Sequence, residues 1–277
     1  MRNNNASFLS NCLYEILYFD KNKVYSKKGE KEFRRDYDYL IVAPGRKGAI
    51  WLEEQMKRNK IAYGYRPIDF GVRVETDSKI LEHLIEIGRD VKFEMMVPSH
   101  GTKIRTFCVC PNGKVMRETY HDGGFNLVNG ASNSKDLSDN TNFALLMSIP
   151  LTNNANCNHY GDAIARVFKE IGVNHPVLQQ LGDIKRDSRS RENKIYEWRI
   201  QPTLKDVHIG GIGWGMPYEI QKRLLVALDR LSAPGLMEGL NQDSTLLYAP
   251  EMKRNGLNCL LYTSDAADEL DGVDLGG

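Results

Sequence analysis

From Leu13 to Lys27, apolar and polar residues alternate weakly about Asp20-Lys21-Asn22-Lys23, which predicts a β-hairpin. A charged stretch runs from Lys27 to Asp38. Tyr39-Leu40-Ile41-Val42-Ala43 is then a short unbroken apolar run, the pattern of a parallel strand buried on both faces, and it stops at Pro44-Gly45. Residues 46–59 carry helical spacing, with Ile50, Leu52 and Met56 set among Glu and Lys. The break at Tyr63-Gly64-Tyr65-Arg66-Pro67 predicts a boundary, dividing a first segment, 1–62, from a second, 63–258.

Beyond that break the period shortens to two. Phe70 to Glu75 reads as a strand, and Ser78 as the cap of a helix that runs through Ile87 to Gly88. Val91–Met96 and Lys103–Cys110 read as strands. Pro111-Asn112-Gly113 predicts a turn that brings Lys114–Thr119 back as a partner strand. A strand from Asn126, a polar loop over 132–141 and a buried strand from Phe143 to Ile149 complete this half. Later segments are more helical. Ala163, Ile164, Val167, Phe168 and Ile171 mark a helix ended by Gly172, and Ile220, Leu224, Leu225, Leu228 and Leu231 mark another behind Pro217. Strands followed by helices predict an α+β fold.

Charge narrows the function classes. The chain has 37 Lys+Arg against 36 Asp+Glu, so nothing suggests non-specific nucleic-acid binding. No apolar run approaches the roughly 20 residues of a membrane span, and residues 1–6 lack the apolar core of a signal peptide. Five cysteines form no even disulfide framework, which predicts a reducing, cytoplasmic setting.

The C-terminal residues read differently. Residues 259–269, CLLYTSDAADE, and 272–277, GVDLGG, resemble one reading frame of a sequencing-library adapter, with Leu270-Asp271 in the place of its variable index. Segment 259–277 is therefore expected to be an adapter-derived, disordered tail, and the natural protein to continue past Asn258. The tail holds five acids and no base, so without it the balance is 37 against 31.

Candidate chemistry is sparse. The run Gly210-Gly211-Ile212-Gly213-Trp214-Gly215 has GxGxG rather than GxGxxG spacing and no β-branched strand leading into it, so it reads as a connector. Residues 186–194, RDSRSRENK, read as a solvated loop. Cys108-Val109-Cys110 lies on a predicted strand, where alternation puts both thiols on one face. Small core residues and a redox pair both fit that placement. No second cysteine pair with zinc spacing accompanies it, so no metal is expected. At Ala43-Pro44-Gly45-Arg46 a predicted buried strand ends in a small-residue turn ahead of a helix, where backbone can approach a flat or phosphorylated ligand.

Several longer segments, in order, carry a resemblance: residues 38–48 (DYLIVAPGRKG with its leading Asp38), 65–75 (YRPIDFGVRVE), 105–113 (RTFCVCPNG), 128–130, 140–145, 202–207 and 245–251. From about Asp36 to Glu251 the chain resembles the uncharacterised bacterial FAD-dependent dehydrogenases. The resemblance implies the end of an α/β FAD-binding domain followed by an inserted domain of mixed sheet and helix. It also implies FAD as cofactor, with NAD(P)H as an electron donor, and a GxGxxG strand-turn-helix ahead of Met1 that would hold the pyrophosphate. Such a fragment, an incomplete flavoprotein, is expected to be inactive by itself. Ala43, Pro44, Gly45 and Arg46 would lie near the FAD. Arg73, Arg105, Cys108 and Cys110 become candidates around the flavin ring, the arginines stabilising negative charge or holding an anionic substrate. The substrate is a small molecule of unknown identity. A non-catalytic flavin-binding or RNA-associated module is the alternative, and a stand-alone structural domain a third.

Overall fold

The computed structural model describes residues 15–44, 48–88, 90–97, 102–120, 124–151, 155–253 and 257–259. Two compact units divide the chain, one reaching Gly64 and the other spanning Tyr65–Gly256.

The first unit opens with an antiparallel meander of β1 (Glu15–Asp20), β2 (Lys23–Lys28) and β3 (Lys31–Asp36). Sequence reading stopped at the hairpin. The charged run hides a third strand because Phe33 is its one apolar residue and most of its positions are exposed. Gly29, at φ 61°, makes the turn into it. Helix α1 (Ala49–Arg58) places Lys57 and Arg58 in its last turn, where cations oppose the negative end of the helix dipole. It is fastened to the meander by Trp51 Nε1, which donates to the Leu17 carbonyl at 3.2 Å. Asn59 Nδ2 likewise donates to the Phe19 carbonyl at 3.0 Å. β4 (Tyr63–Tyr65) ends the segment.

The buried strand expected over 39–43 does not form. The backbone there makes no ladder, and Tyr39 and Ile41 are 93% and 91% exposed. Leu40 and Val42 are partly covered, so the alternation of an extended chain survives with only one side occupied. A parallel strand needs hydrogen-bonded neighbours to satisfy its backbone, and no described strand lies beside this one.

The second unit is built on one mixed sheet. Its strands are β5 (Ile68–Asp77), β6 (Glu94–Val97), β7 (Thr102–Cys110), β10 (Asn140–Ile149), β11 (Val177–Gln180), β12 (His208–Ile209) and β13 (Leu246–Lys253), with β8 (Lys114–Tyr120) and β9 (Phe125–Ala131) forming a separate hairpin. The order across the sheet is β12-β11-β13-β5-β10-β7-β6, antiparallel except for β11 with β12. The turn at 111–113 therefore does not return β8 against β7. β7 already has β10 on one side and β6 on the other, so β8 leaves the sheet and pairs with β9. The helix expected over 78–87 shrinks to a 3-10 turn, Ser78–Ile80, and α2 (Glu82–Ile85). Asp77, not Ser78, is its cap.

Alternation along these strands sorts the two faces. One face carries Ile68, Phe70, Val72 and Val74 of β5, Phe143, Leu145 and Met147 of β10, and Leu247, Ala249 and Met252 of β13. On it pack α3 (Cys157–Ile171) and α5 (Tyr218–Leu231), with α4 (Leu181–Lys185) alongside. Phe70 meets Phe168 of α3 at 6.4 Å between ring centres, and each such buried side chain is worth about 1.5–3 kcal/mol. α3 starts six residues before the expected Ala163, because Asn156 caps it by accepting from the Asn158 and His159 amides. A smaller second core lies under the other face, where Val115 and Val128 of the hairpin join Trp198, Ile200, Leu246 and Tyr248. β14 (Leu257–Cys259) pairs with β4 and so belongs to the first unit. No helix is long and apolar enough to cross a membrane among the described residues. The tail expectation concerns residues that, apart from Cys259, lie outside those described.

Candidate functional site

The second face of the sheet is polar at its centre. Asp69, Arg73 and Glu75 stand on β5 at alternate positions, with Gly71 between. Two irregularities bring neighbours to them. In β13 the register shifts between Tyr248 and Glu251, which puts both side chains on this face. In β7 a bulge lies between the positions opposite Asn142 and Ala144, at Cys108-Val109. It turns Val109 into the apolar core and Cys110 onto the polar face. Cys108 takes the left-handed φ of 50° there, a conformation uncommon for any residue but glycine.

Among the described residues, Arg73 is the largest fully buried side chain. Its guanidinium is bonded on every nitrogen. Nε donates to Asn142 Oδ1 at 2.8 Å, Nη1 to Glu251 Oε1 at 3.2 Å, and Nη2 to the Cys108 carbonyl at 2.8 Å and to Cys110 Sγ at 3.2 Å. The β9 backbone closes over it. A Cβ on Gly130 would sit 1.7 Å from Nη2 and 2.4 Å from Asn142 Oδ1, so only glycine fits.

An unpaired guanidinium in such a place would cost several kcal/mol, and Glu251 is its nearest carboxylate. Burial lifts the Glu251 carboxyl to about 7, against the opposing pull of Arg73. Its Oε2 has no hydrogen-bond partner, and neither does Asn142 Nδ2. The thiols supply a second source of negative charge. The Cys108 thiol is lowered to about 6, first by a hydrogen bond from Cys110 and then by the Arg73 charge. Cys110 moves upward, because it gives that hydrogen bond and is buried. The pair thus loses one proton early and holds the other. Cys108 is partly exposed and Cys110 buried, so the thiolate stands on the solvent side.

The other candidates are placed elsewhere. Arg105 is separate from this cluster, donating from Nη2 to Asp69 Oδ2 at 2.6 Å and lying 5.5 Å from the Phe107 ring. Lys253 stacks over the same ring at 3.9 Å. Burial, then the Arg105 charge, holds its ammonium below the usual range. In the first unit, Ala43 and Pro44 line a hollow of about 410 Å³ with Leu40, Val42, Trp51 and Phe19. Gly48 lets Pro44 approach, since a Cβ there would lie 2.3 Å from the proline ring. Gly45 and Arg46 lie outside the described residues.

The sequence matches the family described as "FAD-dependent protein, C-terminal domain-like" over residues 67–254. The chain belongs to that family. No curated protein matches it. The matched span begins one residue before β5 and ends one after β13, so the whole of the Arg73 cluster lies within the family domain.

Sequence reading named Arg73, Cys108 and Cys110 but missed Glu251, Asn142 and Gly130 as their partners. Glu251 and Asn142 are polar positions in strands otherwise rich in apolar residues, Asn142 beside Asn140 and Thr141, and the strand pattern does not say which partner each would meet. It also missed a second buried network, in which both oxygens of Glu75 accept. Oε1 takes Thr203 Oγ1 at 2.5 Å and Asn140 Nδ2 at 3.1 Å, and Oε2 takes the Thr203 amide at 3.2 Å and the Tyr248 hydroxyl. Burial and then the neighbouring carboxylate push the Tyr248 hydroxyl well upward.

Proposed function

We propose that the chain is part of a cytoplasmic FAD-dependent oxidoreductase of the dehydrogenase type, with NADH or NADPH as electron donor and a small-molecule substrate. The observation that carries this reading is the Arg73 cluster inside a domain of an FAD-dependent protein family: a buried cation bonded to a carboxyl, to the Cys110 thiol and to the carbonyl of Cys108. Titratable groups pushed in opposite directions around a buried charge are characteristic of sites that move protons and electrons.

The residues present fit only part of the cofactor. The hollow beside Ala43 and Pro44 is apolar and of a size for one flat ring system. None of the described glycine turns offers the strand-turn-helix that grips a pyrophosphate, so no step is assigned to FAD here. When bound, a flavin supplies hydride and electron transfer. The chain's own residues would do the following. Arg73, fully enclosed, positions Cys108, Cys110 and Glu251 without meeting substrate. Glu251, near 7, takes up or releases a proton at its unpartnered Oε2. Arg105 and Lys253, on the more open part of the face, attract an anionic group.

The test is a visible spectrum of the parent protein with its complete FAD domain. Yellow flavin bands that bleach anaerobically on adding NADH or NADPH are expected. A colourless protein would overturn the oxidoreductase reading. Flavin that no pyridine nucleotide bleaches would overturn the dehydrogenase part of it.

A further inference from the structure

We propose that Cys108 and Cys110 are a thiol–disulfide couple acting on disulfide substrates, with Cys108 as the attacking and Cys110 as the resolving thiol. The inference rests on the oxidoreductase reading only for where the electrons come from; the couple itself stands on the second unit alone.

Three observations carry it. Cys110 Sγ donates to the Cys108 carbonyl at 3.5 Å and Arg73 Nη2 bonds both of those atoms, so the two cysteines are drawn together although one residue separates them, because the β7 bulge and the left-handed turn at Cys108 depart from the extended spacing. A straight strand would hold two such side chains apart. The outer thiol is partly exposed and the inner one buried, the arrangement an attacking and a resolving thiol require. Arg73, bonded to Cys110 Sγ and to the Cys108 carbonyl, fixes both ends of the pair, while two buried polar atoms beside it, Glu251 Oε2 and Asn142 Nδ2, have no partner.

The steps balance without a further reagent. The Cys108 thiolate attacks one sulfur of a disulfide RSSR, that S–S bond breaks and RS⁻ leaves, giving a Cys108–S–SR mixed disulfide. Cys110 then attacks Cys108 Sγ, a second RS⁻ leaves, and the Cys110 proton goes to one of the two leaving thiolates. The products are the Cys108–Cys110 disulfide, RS⁻ and RSH; the substrate disulfide is reduced by two electrons and the couple oxidised by two. Besides Arg73 and Cys110, the charged groups facing Cys108 are Asp90 ahead of β6 and Glu251 and Lys253 on β13, with Glu118 of β8 behind Glu251.

The experiment uses the full chain, reduced and anaerobic, with the aromatic disulfide dithiobis(nitrobenzoate). Peptide mass mapping is expected to show Cys108 linked to Cys110, with two nitrothiobenzoate anions released for that pair and no adduct left on it. Cys110→Ser should release one and keep the adduct on Cys108. Alkylation of Cys108 by iodoacetamide should follow a midpoint near 6 in the unmodified chain. Gly130→Ala, which drives a Cβ into Arg73, should raise that midpoint toward the ordinary thiol value of about 8.5. A stable Cys108 adduct in the unmodified chain, or an ordinary midpoint there, overturns the proposal even if Gly130→Ala fails to fold. A chain that exchanges as described, from a parent that binds no flavin, would leave the couple standing and remove only the flavin reading.

Discussion

Replacing Glu251 by Gln isolates the electrostatics of the Arg73 cluster. The carboxyl titrates near 7 in the folded protein against 4.5 as a free group, and it is fully buried. A raised carboxyl binds its proton more tightly folded than unfolded. Its contribution is therefore fully present below about 4.5 and is lost as pH rises through about 7. At about 1.4 kcal/mol per pH unit over that interval, the loss is about 3 kcal/mol. Glutamine keeps the shape and an oxygen for Arg73 but cannot ionise. Arg73 then lacks its carboxylate, but the pull of Arg73 on the ionised carboxyl is already contained in the value near 7. The lowered Cys108 thiol works in the opposite sense and mostly at higher pH, adding stability between about 6 and 9. It is present in both proteins and largely cancels in their difference. Urea unfolding of wild type and Glu251→Gln at intervals from pH 4.5 to 8 measures this difference. Stability of the wild type should fall relative to the variant as pH rises through that range, by about 3 kcal/mol. Parallel curves would refute the reasoning and return Glu251 to an ordinary ionised partner of Arg73.

Three further outcomes are expected. Glu75→Gln turns one accepting oxygen into a donor facing donors, and should cost about 2–4 kcal/mol by chemical denaturation. Asn156→Ala removes the cap of α3 and should cost about 1 kcal/mol in the same measurement, with the rest of the helix retained by circular dichroism. Ile41→Ser should change the stability of this chain by less than about 0.5 kcal/mol, since the side chain is 91% exposed. A large loss there would mean that segment 39–43 is buried after all.

Much of the local structure was legible along the chain. Alternation located β5, β7 and β10, and the spacing of Ile220, Leu224 and Leu228 located α5, because burial on one side imposes its period on the residues themselves. Phe33 and its charged neighbours left β3 unread, since an exposed strand has no such period. The apolar run 39–43 misled in the other direction: its composition describes a strand between neighbours, and composition does not supply them.

By itself the sequence determined the α+β character of the second unit, the presence of two thiols one residue apart, and a likeness to FAD-dependent proteins that the family match over 67–254 bears out. Only the tertiary structure decided that β8 leaves β7 for β9, that a bulge carries Cys110 onto the face of Arg73, and that Glu251 and Asn142, distant along the chain, complete the same site. The reason is physical. Periodicity records which side of an element is buried, whereas a bulge, a register shift and a buried charge's partners depend on which strands lie side by side.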